Sequence, residues 1–290
     1  MDIKKLVACD TVLGEGPLWD IPEQRLYWID SLGNKIFRAT EDGNEVKVWD
    51  VPQNIGAMAL RDKGGALLSL ADGFYTFDFE TGEATVLEKV QHKSATVRLN
   101  DGKVDKHGRY VCGSLETTET KPDALLYSVG TDLSVRQIDD NITVSNGPCW
   151  SPDGSIFYFA DSRAKMIYAY DYDLETGAVS NKRDFHAFGP EDGLPDGATV
   201  DAEGCVWSAG VYKGKIHRIA PDGARLLTID MPTLCVASVM FGGANLDRLY
   251  VPTMRTPPVP DVDETHPDAG SLFVIDGLGI RGVPENRFGG

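Results

Sequence analysis

Four oxygen-bearing side chains recur at one position of a repeated sequence unit. Each lies five residues before an Asp or Ser in a hairpin turn, the pairs being Glu15 and Asp20, Asn100 and Asp105, Asn146 and Ser151, and Asp196 and Asp201. Two carboxylates and two amide oxygens brought together need a compensating cation, and divalent metals of hard or borderline character accept such oxygen ligands. Asn or Asp before Gly is also common in ordinary turns. The shared register, and the presence of Glu15, favour a metal site over four unrelated turns.

The repeated unit itself predicts the elements that position these side chains. One copy consists of four short apolar or alternating runs separated by turn residues, at 16–19, 25–31, 35–38 and 45–49. Similar copies begin at residues 147 and 197, and weaker ones begin near 55, 100 and 236. Units of roughly 40 to 50 residues have the length of a propeller blade. We therefore predict an all-β fold, a six-bladed β-propeller of four-stranded antiparallel blades, as a single domain over residues 1–290. A β-sandwich is the competing fold, but it would not need six similar copies.

In a propeller the innermost strands line the central channel, so the four side chains should converge at one end of it. The first strand of each blade runs away from this end and the second returns. The loop between the second and third strands should therefore cover the site, and it is long at 115–122 and at 254–269. Arg98 precedes Asn100 by two residues and could bind a carboxylate or hydroxyl groups there. Residues 3–8 lie outside the six units, and we expect them to pair with residues 271–275 and close the ring.

Composition excludes several classes of function. A formal net charge of -16 and a pI near 4.7 argue against binding to nucleic acid or to an anionic membrane surface. The sequence contains neither a signal-peptide pattern at its start nor a run long enough to span a membrane. The five cysteines are widely spaced without C-x-x-C, which is typical of reduced cysteines in a cytoplasmic protein. The sequence does not determine the oligomeric state, and a monomer is compatible with it.

Other catalytic chemistries find no support in the sequence. It lacks the G-x-S-x-G elbow of serine hydrolases, the H-E-x-x-H motif and paired Cys/His zinc spacing. It also lacks the glycine patterns of P-loop and dinucleotide-binding proteins. The oxygen-rich register is therefore the strongest candidate for chemistry.

Four motifs resemble the SMP-30/gluconolactonase/luciferin-regenerating-enzyme family, which includes sugar lactonases and senescence marker protein-30. They are residues 13–19 (LGEGPLW), 98–105 (RLNDGKVD), 145–148 (SNGP) and 195–197 (PDG). The resemblance extends over nearly the whole chain and implies a six-bladed propeller with one divalent cation in the channel. It implies that Glu15, Asn146 and Asp196 bind the metal and that Asp196 is the general base. It also implies that Arg98 and Asn100 contact the substrate.

One position departs from the family pattern. The resemblance implies a substrate-contacting Glu in the loop of the third blade, where a gap-free alignment from Asn100 gives Thr118. Glu116 and Glu119 flank this position and are the candidates for the contact. The substrate preference of this chain could therefore differ from that of its relatives.

The resulting hypothesis is metal-assisted hydrolysis of a small lactone, most simply a sugar (aldono-) lactone, to the hydroxy acid. The metal would polarise the carbonyl, and either Asp196 or a water that it orients would serve as the base. Oxygen ligands permit Ca, Zn, Mn, Mg or Fe(II). A phosphotriesterase-like or other ester hydrolase on the same site is one alternative. A non-catalytic metal-binding or interaction propeller is the other, since fold alone does not define function.

Overall fold

The computed structural model describes residues 1–258 and 262–290. Within these residues, 24 strands form six four-stranded antiparallel sheets, arranged as a six-bladed β-propeller as the repeats predict. The same part of the chain contains no helix of the length and apolarity needed to cross a bilayer.

The strands follow the blades in chain order, with one exception at the N-terminus. Strand β1 (Asp2–Val7) belongs to the sixth blade. The first blade contains β2 (Gly14–Asp20), β3 (Arg25–Asp30), β4 (Lys35–Ala39) and β5 (Lys47–Asp50). The second contains β6 (Ile55–Leu60), β7 (Ala66–Leu70), β8 (Gly73–Phe77) and β9 (Ala84–Lys89). The third contains β10 (Val97–Val104), β11 (Tyr110–Glu116), β12 (Ala124–Val129) and β13 (Val135–Ile142). The fourth contains β14 (Ser145–Trp150), β15 (Ile156–Asp161), β16 (Met166–Asp173) and β17 (Ala178–Ala187). The fifth contains β18 (Leu194–Val200), β19 (Val206–Val211), β20 (Lys215–Ile219) and β21 (Arg225–Asp230). The sixth adds β22 (Met240–Gly242), β23 (Arg248–Pro252) and β24 (Leu272–Asp276).

The two ends of the chain close the ring within the sixth blade. Strand β1 pairs antiparallel with β24, from Asp2 opposite Asp276 to Val7 opposite Leu272. The predicted pairing of the N-terminal run with the last blade is confirmed. Closure gives the edge of β24 a partner strand, which stabilises the ring and protects that edge.

Apolar side chains pack between the blades rather than in one central core. Each pair of adjacent blades shares a buried hydrophobic cluster, six in the described chain. Between the sixth and first blades, for example, Trp19 stacks on Tyr250 with ring centroids 6.2 Å apart. Cys112, Cys149 and Cys205 are buried. The rigid blade interfaces fix the innermost strands relative to one another, which fixes the side chains that line the channel.

The C-terminal segment closes one end of this channel. The backbone of residues 281–289 bonds to turns and strand ends of several blades, including Phe288 N to Leu60 O (2.8 Å) and Ala202 N to Arg281 O (2.8 Å). Glu285 and Asn286 line a small cavity inside the channel, and Glu285 pairs with Lys103 at 3.6 Å. This far end is therefore closed, and access to the channel is from the opposite end, called the site end below.

Candidate metal centre and substrate cavity

A register shift interrupts the innermost strand of five blades: one lies between Ile55 and Ala57 of the second blade, and the other four accompany the predicted side chains. These four lie between Glu15 and Leu18, Leu99 and Gly102, Asn146 and Cys149, and Pro195 and Ala198. A bulge leaves a residue outside the strand ladder and redirects its side chain. The bulges explain why Glu15, Asn100, Asn146 and Asp196 occupy equivalent positions and all reach the channel.

Two carboxylates on second strands brace the strands that carry Glu15 and Asn146. Asp30 accepts hydrogen bonds from the backbone of Val12 (2.9 Å) and Leu13 (3.0 Å), just before Glu15. Asp161 likewise accepts hydrogen bonds from the backbone nitrogens of Thr143 (3.0 Å) and Val144 (3.2 Å), just before Asn146. Both carboxylates are buried and satisfy backbone groups that would otherwise lack partners. The backbone leading into two candidate ligands is therefore rigid.

The predicted side chains meet in one cavity of about 150 Å³ at the site end. Glu15, Arg98, Asn100, Asn146 and Asp196 all line it. The amide nitrogen of Asn100 donates to Asn146 Oδ1 at 2.9 Å. The amide nitrogen of Asn146 donates to the Ser162 hydroxyl at 2.9 Å, and that hydroxyl donates to Pro195 O at 2.6 Å. This chain of bonds links three blades and turns the Asn146 oxygen away from Ser162.

Burial and mutual repulsion dominate the electrostatics of this cavity. Burial, then the nearby carboxylates of Asp196 and Asp101, raise the pKa of Glu15 well above its usual value. Burial, then Asp101, raises the pKa of Asp196 in the same way. Such shifts mark carboxylates that lack a compensating charge. Asp101 itself lies deeper in the channel, where it accepts hydrogen bonds from Gly147 N (2.9 Å) and Gly102 N (2.8 Å).

The donor set fits a divalent cation. A buried carboxylate (Asp196), a half-buried one (Glu15) and one amide oxygen face the same small space, and oxygen donors of this kind suit Ca²⁺, Mg²⁺, Mn²⁺ and related ions. In residues 1–258 and 262–290, no group of three or more His, Cys, Asp or Glu side chains is placed to hold a metal ion, so a site in this cavity would need the Asn146 amide oxygen beside the two carboxylates. Glu15, Asn146 and Asp196 are therefore the residues of the cavity that could hold the ion.

Arg98 is a second charged group in the cavity wall. Its Nη1 donates to Leu99 O (2.9 Å) and Asn100 Oδ1 (3.1 Å), and its other nitrogens bond to no described residue. Burial lowers the pKa of Arg98 to about 10, although Glu15 and Glu119 act in the opposite direction. The guanidinium stays protonated at neutral pH and has donors left for a bound molecule.

In the loop of residues 117–123, the two candidate substrate contacts, Glu116 and Glu119, have different roles. The Glu116 carboxylate accepts the Thr118 hydroxyl (2.6 Å) and the Thr120 backbone (3.1 Å), and these hydrogen bonds, led by the Thr118 hydroxyl, lower its pKa to about 2. Glu116 thus holds the loop and does not line the cavity. Glu119 lines the cavity and forms an ion pair with Arg163. Of the two, Glu119 is the one placed to contact a substrate.

The second covering loop also reaches the cavity, through Met254 and Pro258. Residues 259–261 of the predicted loop lie outside the described residues. Three further site residues were missed from the sequence: Asp101, Ser162 and Tyr212. Asp101 follows Asn100 and Ser162 follows the brace Asp161, so adjacency was the available signal for both. Tyr212 had no such signal, because it lies in a short hairpin of the fifth blade.

Comparisons with known proteins agree on the family. Residues 13–255 match the region described as SMP-30/gluconolactonase/LRE-like. Human regucalcin is 34% identical over 284 residues, which cover 96% of this chain and 95% of that protein. Regucalcin of Danio rerio is 33% identical over 282 residues, with the same coverage.

Solved structures show the same architecture. A luciferin-regenerating enzyme superposes with a TM-score of 0.92 and 27% identity, covering 99% of this chain and 98% of that one. A calcium-binding protein, regucalcin, from Agrobacterium tumefaciens superposes with a TM-score of 0.91 and 24% identity, covering 98% of this chain and 96% of that one. A gluconolactonase from Xanthomonas campestris superposes with a TM-score of 0.73 and 23% identity, covering 94% of this chain and 88% of that one. At these identities the last two show similarity of fold.

Proposed function

Because the chain belongs to the SMP-30/gluconolactonase/LRE-like family, we propose that it is a metal-dependent hydrolase that opens a small lactone to the hydroxy acid. A sugar (aldono-) lactone is the substrate class that we favour. The observation that carries the proposal is the pair of carboxylates, buried Asp196 and half-buried Glu15, in a channel closed at its far end. A cavity lined in this way gives a reacting carbonyl a charged, enclosed environment.

Glu15, Asn146 and Asp196 would hold the metal, which supplies Lewis-acid polarisation of the lactone carbonyl. The other steps belong to side chains of this chain. Asp196 orients a water molecule and accepts its proton as the oxygen attacks the carbonyl carbon. As the ring C–O bond breaks, Asp196 returns this proton to the leaving ring oxygen, which becomes the hydroxyl of the product. Arg98 and Asn100 orient the ring oxygens, since Arg98 has free donors and Asn100 is fixed by Asn146. The braces Asp30 and Asp161 keep the ligand strands in place, so little reorganisation is needed during reaction.

The test is a pH-indicator assay on a panel of pentono-, hexono- and simple lactones. Chelated protein is compared with protein given back Ca²⁺, Zn²⁺, Mn²⁺, Mg²⁺ or Fe²⁺ in turn. We expect metal-dependent opening of at least one lactone above its spontaneous rate. Asp196→Ala should abolish turnover and weaken metal binding. Asp153→Asn, at an exposed turn of the far end, is the control and should leave turnover unchanged. An active, metal-replete Asp196→Ala variant would overturn the assignment.

The purely oxygen-based ligand set also favours a second candidate, a non-catalytic calcium-binding propeller. If the protein binds Ca²⁺ at this site but opens no lactone with any of the metals, this candidate replaces the hydrolase. The same metal chemistry would polarise P=O as well as C=O. Comparing rates on aldonolactones and aryl phosphotriesters distinguishes a lactonase from a phosphotriesterase-like enzyme.

A further inference from the structure

A second concavity adjoins the metal cavity at the site end. This outer groove, of about 570 Å³, is formed by loops of the third, fourth and fifth blades together with Pro258 and Val262 of the sixth. Its wall shares Thr117, Glu119, Leu194, Val211, Tyr212 and Pro258 with the inner cavity. The two spaces therefore adjoin along this wall, and a ligand held at the metal centre has the groove directly beside it.

The inner cavity is small for a complete ligand site. Its 150 Å³ lies below the roughly 300–1,000 Å³ typical of small-molecule pockets. With the outer groove added, the combined space falls within that range. A ring bound at the metal centre would thus leave its longer substituents in the groove.

The outer groove is positively charged, in contrast to the chain as a whole. Its charged wall residues are Arg163, Lys165, Lys213 and Glu119. Glu119 is already paired with Arg163, and Lys213 lies 3.8 Å from the exposed Glu191. Lys165 is exposed and has no acidic partner within 4 Å among the residues that the structure describes. Three cations therefore lie at the mouth of the site in a protein whose net charge is -16.

Tyr212 forms the wall at the junction between the two spaces. Its backbone has φ of 70°, a left-handed conformation that is uncommon for an aromatic residue and is often found at functional sites. Burial, then the Asp196 and Glu119 carboxylates, raises the pKa of its phenol. The phenol therefore stays neutral and adds no negative charge between the metal centre and the cations.

Resting on the proposed function, we infer that the substrate is a lactone with an additional anionic group, bound by Lys165 and Lys213 while the ring occupies the metal cavity. The anionic group is a carboxylate or a phosphate, which share the chemistry that ammonium groups recognise. Its carrier would be a sugar lactone that is acidic at the end remote from the ring carbonyl. Arg163 contributes to the same field, although its ion pair with Glu119 occupies it in part.

The first test compares kcat/KM for three lactones with the metal-loaded protein: glucono-lactone, its 6-phosphate, and glucaro-lactone. We expect one or both anionic lactones to be preferred. Lys165→Ala/Lys213→Ala should lower kcat/KM for the preferred anionic lactone about tenfold, the effect of losing two partly exposed ion pairs. The kcat/KM for the neutral lactone should change by less than about twofold. The loss should shrink as ionic strength rises.

A control variant separates local binding from the change in net charge. The double variant Lys47→Ala/Lys63→Ala removes two exposed lysines that lie away from the groove, and it should leave kcat/KM unchanged for all three lactones. A second measurement needs no catalysis: calorimetric binding of 6-phosphogluconate, glucarate and gluconate to chelated protein. 6-Phosphogluconate and glucarate should bind more tightly than gluconate, and this advantage should disappear in the Lys165/Lys213 variant.

The outcomes distinguish the two proposals. If neutral and anionic lactones are opened equally well, and the groove variant changes neither, the groove inference is wrong while the hydrolase stands. If no lactone is opened but 6-phosphogluconate or glucarate still binds in a lysine-dependent way, the proposed function fails while the anion site remains. Selectivity for the phosphate or for the carboxylate identifies which anionic group the groove takes.

Discussion

Asp196→Asn should have opposite effects on stability with and without metal. In the metal-free protein the Asp196 carboxylate is buried, faces the same cavity as Glu15, and is destabilised by Asp101. Replacing it with an amide removes a buried charge and should stabilise the fold by about 1 kcal/mol. With metal, the same variant loses a ligand and hence most of the stabilisation that binding provides.

The size of these effects in a melting experiment follows from chain length. Unfolding entropy is about 2.1 cal/mol/K per residue, so for 290 residues 1 kcal/mol corresponds to about 1.6 °C. Metal at about 100 times its Kd stabilises a native site by about 2.7 kcal/mol, or roughly 4 °C. We expect Asp196→Asn to melt about 1–2 °C above wild type in EDTA and to gain far less than 4 °C on metal addition.

Asp161→Asn is a matched control for this experiment. Asp161 and Asp196 are both 6% exposed, but the Asp161 carboxylate accepts three backbone hydrogen bonds. Its replacement should cost about 1–3 kcal/mol, and therefore about 2–5 °C, with or without metal. Differential scanning calorimetry in EDTA and in excess metal gives the six melting temperatures, two each for wild type and the two variants. If Asp196→Asn melts below wild type in EDTA, or gains as much as wild type from metal, the reasoning about this cavity is refuted.

Three further substitutions test how the scaffold holds the site. Asp201→Asn should cost about 3 kcal/mol in urea unfolding, because its buried carboxylate accepts from the Trp207 indole and the Arg218 guanidinium, both at 2.8 Å; an unchanged midpoint would contradict this. Phe288→Ala should cost about 3–5 kcal/mol, since the ring is fully buried under the C-terminal segment, and a loss below 1 kcal/mol would mean that this segment does not fasten the far end. Burial lowers the pKa of His217 below 6.5, so the unfolded chain binds a proton at this imidazole more readily than the folded protein does. The stability that neutral His217 contributes is therefore present above pH 6.5 and is lost as the pH falls below it. His217→Gln should flatten the decline of Tm between about pH 7 and 5, and an equally steep decline would refute that assignment.

The repeats made the fold predictable from sequence. Each unit carries its own strand pattern and turn residues, so local sequence and global architecture agree, and residues 3–8 could be assigned to the last blade because they lie outside six complete units. The site register was predictable for the same reason. A bulge at the same step of four innermost strands carries Glu15, Asn100, Asn146 and Asp196 into the channel.

The remainder of the site depends on contacts between blades, which no single repeat encodes. Glu116 and Glu119 look equivalent in sequence, but hydrogen bonds within the loop turn Glu116 to Thr118 and leave Glu119 at the cavity. Lys165 lies in a hairpin of the fourth blade, whereas Tyr212 and Lys213 lie in a hairpin of the fifth. They share a groove only because the ring brings these two hairpins together. The C-terminal segment likewise has no periodic pattern, and its role comes from where it crosses the channel.

The central claim is that Glu15, Asn146 and Asp196 together bind one catalytic divalent metal. Anomalous X-ray diffraction from crystals of the active, Mn²⁺-loaded protein locates the ion directly. A single strong channel peak at about 2.0–2.6 Å from oxygens of these three side chains is the predicted result. A peak bound elsewhere, or an empty channel in a protein whose lactone opening still requires Mn²⁺, would contradict it.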